Sequence, residues 1–352
     1  MDARLPLDLA VPPATHSDGI SFLDVEAVGS ADAWAVGTSG RNILPDARPQ
    51  MRHWHNGRWE AVRLPSWMNG AKAGGWINEL QAVGGDAPGN VWAAGMLAGS
   101  TSSSDRAVHW NGRKWARAGK LPSAAAFAPL MTSILSFGHS NVWAFGCYCE
   151  ASQGPYIARW RNGSWHDVTP KKAPYGGIFT ASAISPRNIW AIATRSSSRS
   201  FALLHWNGVR WRITSAPTSL DLTAAQFTPG GGIVATRHGG VWLAGYRGAF
   251  APFTPVIVHY AAGVWHVTKI AAPAGMQTLV PDGRGGLWSS SQAAGTTSSQ
   301  IWHMSAGRWR RVAQPAGVSG AYAITWMAHV PGRAVTLAFG GDQKSELLLS
   351  TP

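Results

Sequence analysis

The feature that most limits what this chain can become is a short hairpin sequence that returns along its length. It reads His53-Trp54-His55-Asn56-Gly57-Arg58-Trp59 in its first form and His109-Trp110-Asn111-Gly112-Arg113-Lys114-Trp115 in its second. Trp160/Trp165, Trp206/Trp211 and Tyr260/Trp265 mark three further copies, and Met304/Trp309 a worn last one. Asn-Gly between apolar residues favours a two-residue turn, because both central positions take positive φ. With Asn56-Gly57 as that turn, Trp54 faces Trp59, and the same spacing pairs the indoles of the later copies. A facing aromatic pair adds about 0.5–1.5 kcal/mol beyond its burial. Ala262-Gly263 and Ala306-Gly307 replace Asn-Gly in the last two copies, so the glycine persists.

A second sequence precedes each hairpin: Ala33-Trp34-Ala35-Val36-Gly37, with relatives at Trp92, Trp143, Trp190, Trp242 and Trp288 and a degenerate one at Leu337. The period is about 50 residues, the length of a kelch-type blade rather than a WD repeat. Each unit reads as four strands, A to D; in the first they fall at about 22–28, 33–38, 51–55 and 58–63. A repeated four-stranded unit hides its sheet edges best by closing into a ring. The expected fold is therefore all-β: a seven-bladed β-propeller of four-stranded antiparallel blades, forming one domain over residues 1–352. The blades are expected near 20–65, 77–120, 131–170, 178–216, 231–271, 276–314 and 320–350. The seventh unit lacks a strand D, so the extended residues 5–11 are expected to join it and close the ring.

Composition agrees with many short strands and tight turns. Charged residues are only 13%, against about 25% in an ordinary globular chain, while Gly is 41 and Trp 20. The net charge of +13 attracts anionic partners without choosing among them. No apolar run approaches the roughly 20 residues of a membrane-spanning helix, so no membrane insertion is expected. Scarce Lys, Ser/Thr/Gly-rich loops and abundant Trp point to an extracellular or cell-envelope protein whose leader has been removed, with a cytoplasmic location as the alternative. A monomer is expected.

The paired signatures, Asp32-x-Trp34-Ala-Val-Gly and His53-Trp54-x-Asn-Gly-x-Trp59, resemble the kelch/galactose-oxidase-like propeller repeats of actinobacterial exported proteins. Asp282-Gly-Arg-Gly-Gly-Leu-Trp288 is similar to a blade motif of two-component-regulator propellers. The resemblance covers residues 20–350 and implies a fold, since propellers include enzymes, lectins and scaffolds. The copper ligands of galactose oxidase have no counterpart here, so that activity does not carry over.

Two surfaces follow from this architecture. The turn face carries Arg58, Arg113, Arg161, Arg210 and Arg308 at the C–D tips, with Lys114 beside them, and Arg187, Arg237, Arg284 and Arg333 at the A–B turns. It reads either as an anion-binding ring or as a solvated rim. The loop face gathers Asp24, Glu79, Ser133, Thr180, Gln277 and Tyr322 where strand A begins, with Trp67, Trp76, Asn78 and Tyr148 nearby. A polar ring with aromatic walls suits a sugar or peptide pocket, and equally a water-filled channel. The six first tryptophans read as core between blades, the hairpin pairs as more exposed. The recurring His53, His109, His205, His259 and His303 read as packing or edge residues.

Cys147-x-Cys149 offers a weak metal site or a small-loop disulfide, with no further Cys or His spacing to complete a metal centre. No nucleophile elbow, zinc-protease, P-loop or dinucleotide motif is present in context, and no cofactor is implied. The leading expectation is a non-enzymatic propeller that binds a glycan, peptide or protein on its loop face. The alternatives are an enzyme using Asp24 and Glu79 or a metal at the channel mouth, and a scaffold docking anionic polymers on the basic face.

Overall fold

A computed structural model describes residues 20–39, 48–56, 58–68, 75–99, 102–123, 128–148, 154–171, 176–194, 201–220, 232–247, 254–271, 276–292, 299–312, 324–332, 335–340 and 346–350. The chain forms a succession of small antiparallel sheets, each laid down in strand order A-B-C-D. Blade 1 is β1 (Ile20–Gly29), β2 (Asp32–Ser39), β3 (Arg48–His55) and β4 (Arg58–Ala61). Blade 2 is β5 (Gly75–Ala87), β6 (Asn90–Gly99), β7 (Ser103–Trp110) and β8 (Trp115–Arg117). Blade 3 is β9 (Leu130–Ser136), β10 (Val142–Cys147), β11 (Pro155–Arg161) and β12 (Ser164–Asp167). Blade 4 is β13 (Gly177–Ser185), β14 (Asn188–Thr194), β15 (Phe201–Trp206) and β16 (Trp211–Ser215). Blade 5 is β17 (Ile233–Ala235), β18 (Val241–Arg247), β19 (Thr254–Ala261) and β20 (Val264–Lys269). Blade 6 is β21 (Met276–Pro281), β22 (Leu287–Gln292), β23 (Ser299–Ser305) and β24 (Arg308–Val312). A last sheet holds β25 (Ile324–His329), β26 (Val335–Gly340) and β27 (Glu346–Ser350).

This corrects the expected count. Six blades, not seven, have four strands among the described residues, and the remaining sheet has three. The expected fourth strand, residues 5–11, lies outside the described residues. Closure is seen elsewhere: β25 packs against both β21 and β1, and the Trp326 indole N–H donates to the Phe22 carbonyl at 2.9 Å. The strand A of each sheet touches those of its neighbours, β1 to β5 to β9 and onward, which puts the A strands at the centre.

The hairpin pairs form as the spacing requires: Trp54↔Trp59, Trp110↔Trp115, Trp160↔Trp165, Trp206↔Trp211, Tyr260↔Trp265 and Met304↔Trp309 are directly opposed. Their turns differ more than the sequence suggests. Asn162-Gly163, Ala262-Gly263 and Ala306-Gly307 take positive φ at both central residues, and Asn56 has φ 53°, the requirement of a type I′ turn. In the second and fourth copies the turn is shifted by one residue. Gly112 (φ 85°) and Gly208 (φ 91°) take its first central place, and the Asn111 and Asn207 side-chain oxygens each accept two backbone N–H groups of the turn. The same Asn-Gly letters thus serve once as a backbone turn and once as an Asx cap.

The packing between blades is indole. Trp34, Trp92, Trp143, Trp190 and Trp288 are buried, and each of the first three meets the hairpin pair of the following blade: Trp34 lies 5.5 Å from Trp110 and 5.2 Å from Trp115, with Trp92 and Trp143 repeating this against Trp160/Trp165 and Trp206/Trp211. The hairpin indoles are therefore less exposed than expected: Trp115 and Trp165 are buried because Trp34 and Trp92 cover them, and Trp54 is buried in a cluster with Trp326.

Strand A carries a β-bulge at one recurring level, between Phe22 and Asp24 in β1, Leu80 and Ala82 in β5, Ile178 and Thr180 in β13, Met276 and Thr278 in β21, and Ile324 and Trp326 in β25. The bulge presses strand A onto the last residue of the Trp-Ala-x-Gly sequence. A Cβ on Gly37, Gly95 or Gly146 would run into the backbone carbonyl of Ser21, Glu79 or Leu130. The glycine of that sequence is there for close backbone approach.

Candidate functional site

The channel-mouth residues are brought together differently from the sequence expectation. Asp24, Ser133, Thr180 and Thr278 stand at one level of strand A, opposite Val36, Phe145, Ile192 and Ser290. The blade 2 residue at that level is Ala82, opposite Ala94, not Glu79. Glu79 sits nearer the start of its strand, beyond the bulge, opposite Met96. Gln277 is the bulged residue of β21 rather than the ring residue. Trp76 lies in β5; Tyr322 lies outside the described residues.

What these positions do is join blades. Asp24 is buried and accepts the Val25 and Val83 backbone N–H groups at 2.9 Å, the second across the blade 1–blade 2 boundary. Gln81 accepts from Met131 N at 2.9 Å, Ser133 from Ala181 N at 3.2 Å and Ser182 from Ala235 N at 3.0 Å. Asn78 is buried between elements, its side-chain amide donating to the Met68 carbonyl at 3.3 Å while its backbone carbonyl accepts from the Thr38 hydroxyl. Tyr148 donates to the Pro122 carbonyl and packs on Tyr156. Two of the expected ring residues, Asp24 and Ser133, thus fasten neighbouring blades, as Gln81 and Ser182 beside them do.

The acids on β1 are strongly perturbed. Burial raises the Asp24 carboxyl to about 7, against the two backbone N–H bonds that pull it down. Burial, then the neighbouring Asp24, lifts Glu26 well above its ordinary value; two residues apart on one strand, the pair shares a face. Burial also raises Glu79, opposed by its bond from Gln81 at 2.7 Å. A folded-state pKa above the unfolded one gives stability that is complete below the unfolded value and lost as pH rises through the folded value. The melting temperature is therefore expected to fall between pH 5 and pH 8 through this pair. Glu26→Gln should melt several degrees above wild type at pH 8 and together with it at pH 5 in paired thermal scans; parallel pH profiles would refute the assignment.

The histidines form a repeated structural unit. In blade 1 Asp32 accepts the Trp34 indole N–H at 2.9 Å and lies 3.1 Å from His53 Nε2, while His53 stacks on Trp34 at 3.8 Å. In blade 2 Asn90 Oδ1 takes both Trp92 Nε1 at 2.9 Å and His109 Nε2 at 2.8 Å, with His109 stacked at 4.2 Å. Blade 4 repeats the contact as Asn188–His205 on Trp190, and blade 6 as Asp282–His303 on Trp288. In blade 3 an arginine takes the place: Arg159 donates to Asn141 and lies over Trp143 at 4.8 Å. Burial, then His139, pushes His109 down to about 4, so this imidazole is neutral near pH 7. The Asp32–His53 and Asp282–His303 pairs look like catalytic dyads, but in each the imidazole is stacked on a core indole.

Among the described residues no group of three or more His, Cys, Asp or Glu is arranged to hold a metal. Cys147 is engaged in a disulfide, which removes it as a thiolate ligand; Cys149 lies outside the described residues.

The arginines of the expected basic ring differ in their surroundings. Arg58 is committed to Glu60 at 2.6 Å, and Arg161, Arg210 and Arg308 are exposed on separate blades. Of the five, Arg113 lines a cavity. That cavity, of about 770 Å³, opens at the rim between blades 1 and 2. Blade 1 contributes Arg48, Pro49 and Gln50 from the start of β3, and the extended segment from Val62 to Ser66 after β4; blade 2 contributes Trp110, Arg113, Lys114 and Trp115 from its hairpin. Arg48, Arg63, Arg113 and Lys114 are exposed, and no carboxylate among the described residues pairs with them. Trp115 and Leu64 are buried and half-buried Trp110 forms a wall. Next to Ser66, half-buried Trp67 carries Arg117 over its ring at 4.0 Å and Arg106 at 5.9 Å, so Trp67 belongs to this rim and not to the channel mouth. The cavity escaped sequence reasoning because its two halves lie some fifty residues apart and meet only when the blades pack.

No family model matches the chain, and no curated protein matches it. Solved structures do. Over 97% of this chain and 96% of that one, it superposes on YCF48 bound to a D1 peptide, with a TM-score of 0.63 at 12% identity. Myceliophteria thermophila Cps50 (Swd1) matches over 97% of this chain and all of its own propeller domain, with a TM-score of 0.60 at 10% identity. The fold is a β-propeller. An Aleuria aurantia lectin in complex with a fucosylated GlcNAc also matches, over 85% of this chain and 98% of that one, with a TM-score of 0.50 at 15% identity. At such identities the likeness establishes the propeller and leaves the kelch-like resemblance unconfirmed. No helix among the described residues is long and apolar enough to cross a membrane.

Proposed function

We propose that this propeller is a binding protein that holds an anionic ligand in the crevice between blades 1 and 2, without transforming it. The observation that carries the reading is the convergence of Arg48, Arg63, Arg113 and Lys114 on one cavity beside Trp110, with no acid among its lining residues. Four like charges repel one another when the cavity is empty, and an anion removes that cost. The volume falls within the roughly 300–1,000 Å³ of small-ligand sites. Two structural neighbours, one bound to a peptide and one in complex with a glycan, agree with a binding role. That Asp24 fastens two blades and Glu79 stands at another level supports binding over an enzyme built on that pair. Export is part of the proposal and is supported by the disulfide at Cys147, a bond characteristic of oxidising compartments.

The test is titration with dextran sulfate, polyglutamate and tripolyphosphate at low and high salt. At least one should bind, weakening as salt screens the charges. The double variant Arg63→Glu/Arg113→Glu should lose at least tenfold in affinity, and Arg161→Glu/Arg210→Glu little. Equal losses in the two variants would mean a diffuse charge effect and would sink the crevice as the site.

A further inference from the structure

We infer that the ligand of this crevice is an acidic oligosaccharide, bound along a track that runs from the cavity over Trp67; this rests on the anion-binding reading above. Three observations carry it. First, the cavity's polar equipment is made of side chains. Pro49 and Pro65 stand in its wall and supply no N–H, which blunts the strand addition by which extended peptides usually gain affinity. Second, cations alternate with flat indole surface: Arg113 and Lys114 beside Trp110 in the cavity, then Arg117 lying on Trp67 beyond it. The Trp110 indole offers apolar area to the C–H face of a sugar ring, guanidinium forks, with that of Arg117 held flat on Trp67, grip a carboxylate or sulfate, and Gln50 and Ser66 can bond ring hydroxyls. Third, the cationic surface continues in one direction. Arg117 shares a face of β8 with Trp115, two residues away, and Arg106 stands near it, 5.9 Å from the Trp67 ring. Burial, then Arg117, holds the Arg106 guanidinium below its ordinary pKa. A chain bearing one acidic group per sugar unit matches such a track better than a single small anion does.

The experiment is calorimetric titration of the whole protein with oligogalacturonate, a heparin-derived oligosaccharide, polyglutamate and oligo-dT. Oligogalacturonate or the heparin fragment, or both, should bind more tightly than the other two. Which of them binds distinguishes a carboxylate from a sulfate as the recognised group. Arg117→Gln and Trp67→Ala should each weaken that binding about tenfold, and Arg210→Gln on blade 4 should not change it. Arg117 is exposed, so its variant tests the track without threatening the fold. If polyglutamate or oligo-dT binds in preference and Arg63→Glu/Arg113→Glu abolishes it, the glycan assignment is overturned while the anion crevice stands. If none of the four binds, both fall. If the acidic glycan binds but Arg117→Gln and Trp67→Ala leave it unchanged, the track is refuted.

Discussion

Gly95→Ala is expected to yield little or no soluble protein, and any that folds should melt well over 10 °C below wild type. One methyl group is a small change, but at this position it meets backbone. The added Cβ would collide with the Glu79 carbonyl and the Leu80 Cα, and neither can move without dislodging the bulge of β5. Overpacking into side chains costs about 1–3 kcal/mol; here relief requires strand A to lift from strand B along the axis of the ring. The contrast is Gly163→Ala at the blade 3 hairpin tip. That residue has φ 77° and open space around its Cβ position, so its variant stores backbone strain only, on the order of 1 kcal/mol. Solubility and thermal melts of the pair separate the two kinds of glycine. If Gly95→Ala melts with Gly163→Ala, the close-approach account of the Trp-Ala-x-Gly sequence is wrong.

Trp34→Ala should cost about 3–5 kcal/mol, the usual range for deleting a buried aromatic, and should lower the melting temperature by about 4–7 °C. Trp34 is 1% exposed and bonds at once to its own blade and the next. His53 stacks on one face and Asp32 accepts its N–H, while Trp110 and Trp115 meet it from blade 2. Trp34→Phe keeps much of the packing and leaves Asp32 with His53 alone, so it should fall between. The alanine variant carries a second expectation: Trp110 walls the anion crevice and loses its support, so affinity for the acidic probe should drop even where the protein stays folded. A melting shift without an affinity loss would place the crevice wall outside Trp34's influence.

The hairpins, the strand order and the buried strand-B indoles were legible in the sequence because each depends on local chemistry. A glycine after Asn or Ala sets a turn, and a fixed spacing then opposes two indoles. The ring residues were harder. The ten-residue offset from Trp34 to Asp24 also leads from Trp92 to Ala82, but Glu79 attracts attention because it is charged. Only the register across β5 and β6 shows that Glu79 stands at another level. The count of complete blades depended on where residues 5–11 go, which no local pattern specifies. The crevice depended on blade 1's outer segment meeting blade 2's hairpin, a contact between distant parts of the chain. The Asx–Trp–His unit lay half visible as Asp-x-Trp and a recurrent His, without a sign that the carboxylate and imidazole serve the same indole.

The fasteners between the A strands have a consequence for how such wheels change over time. In the Asp24, Gln81, Ser133 and Ser182 contacts the neighbouring blade contributes only a main-chain amide, which every amino acid except proline possesses. One partner in each joint is therefore indifferent to mutation, and the other tolerates any side chain with a lone pair at the right height. Duplicated blades can diverge, trade places or arrive from elsewhere without a matching change next door. Homologous wheels can in this way drift until little in their letters still records a shared ancestry.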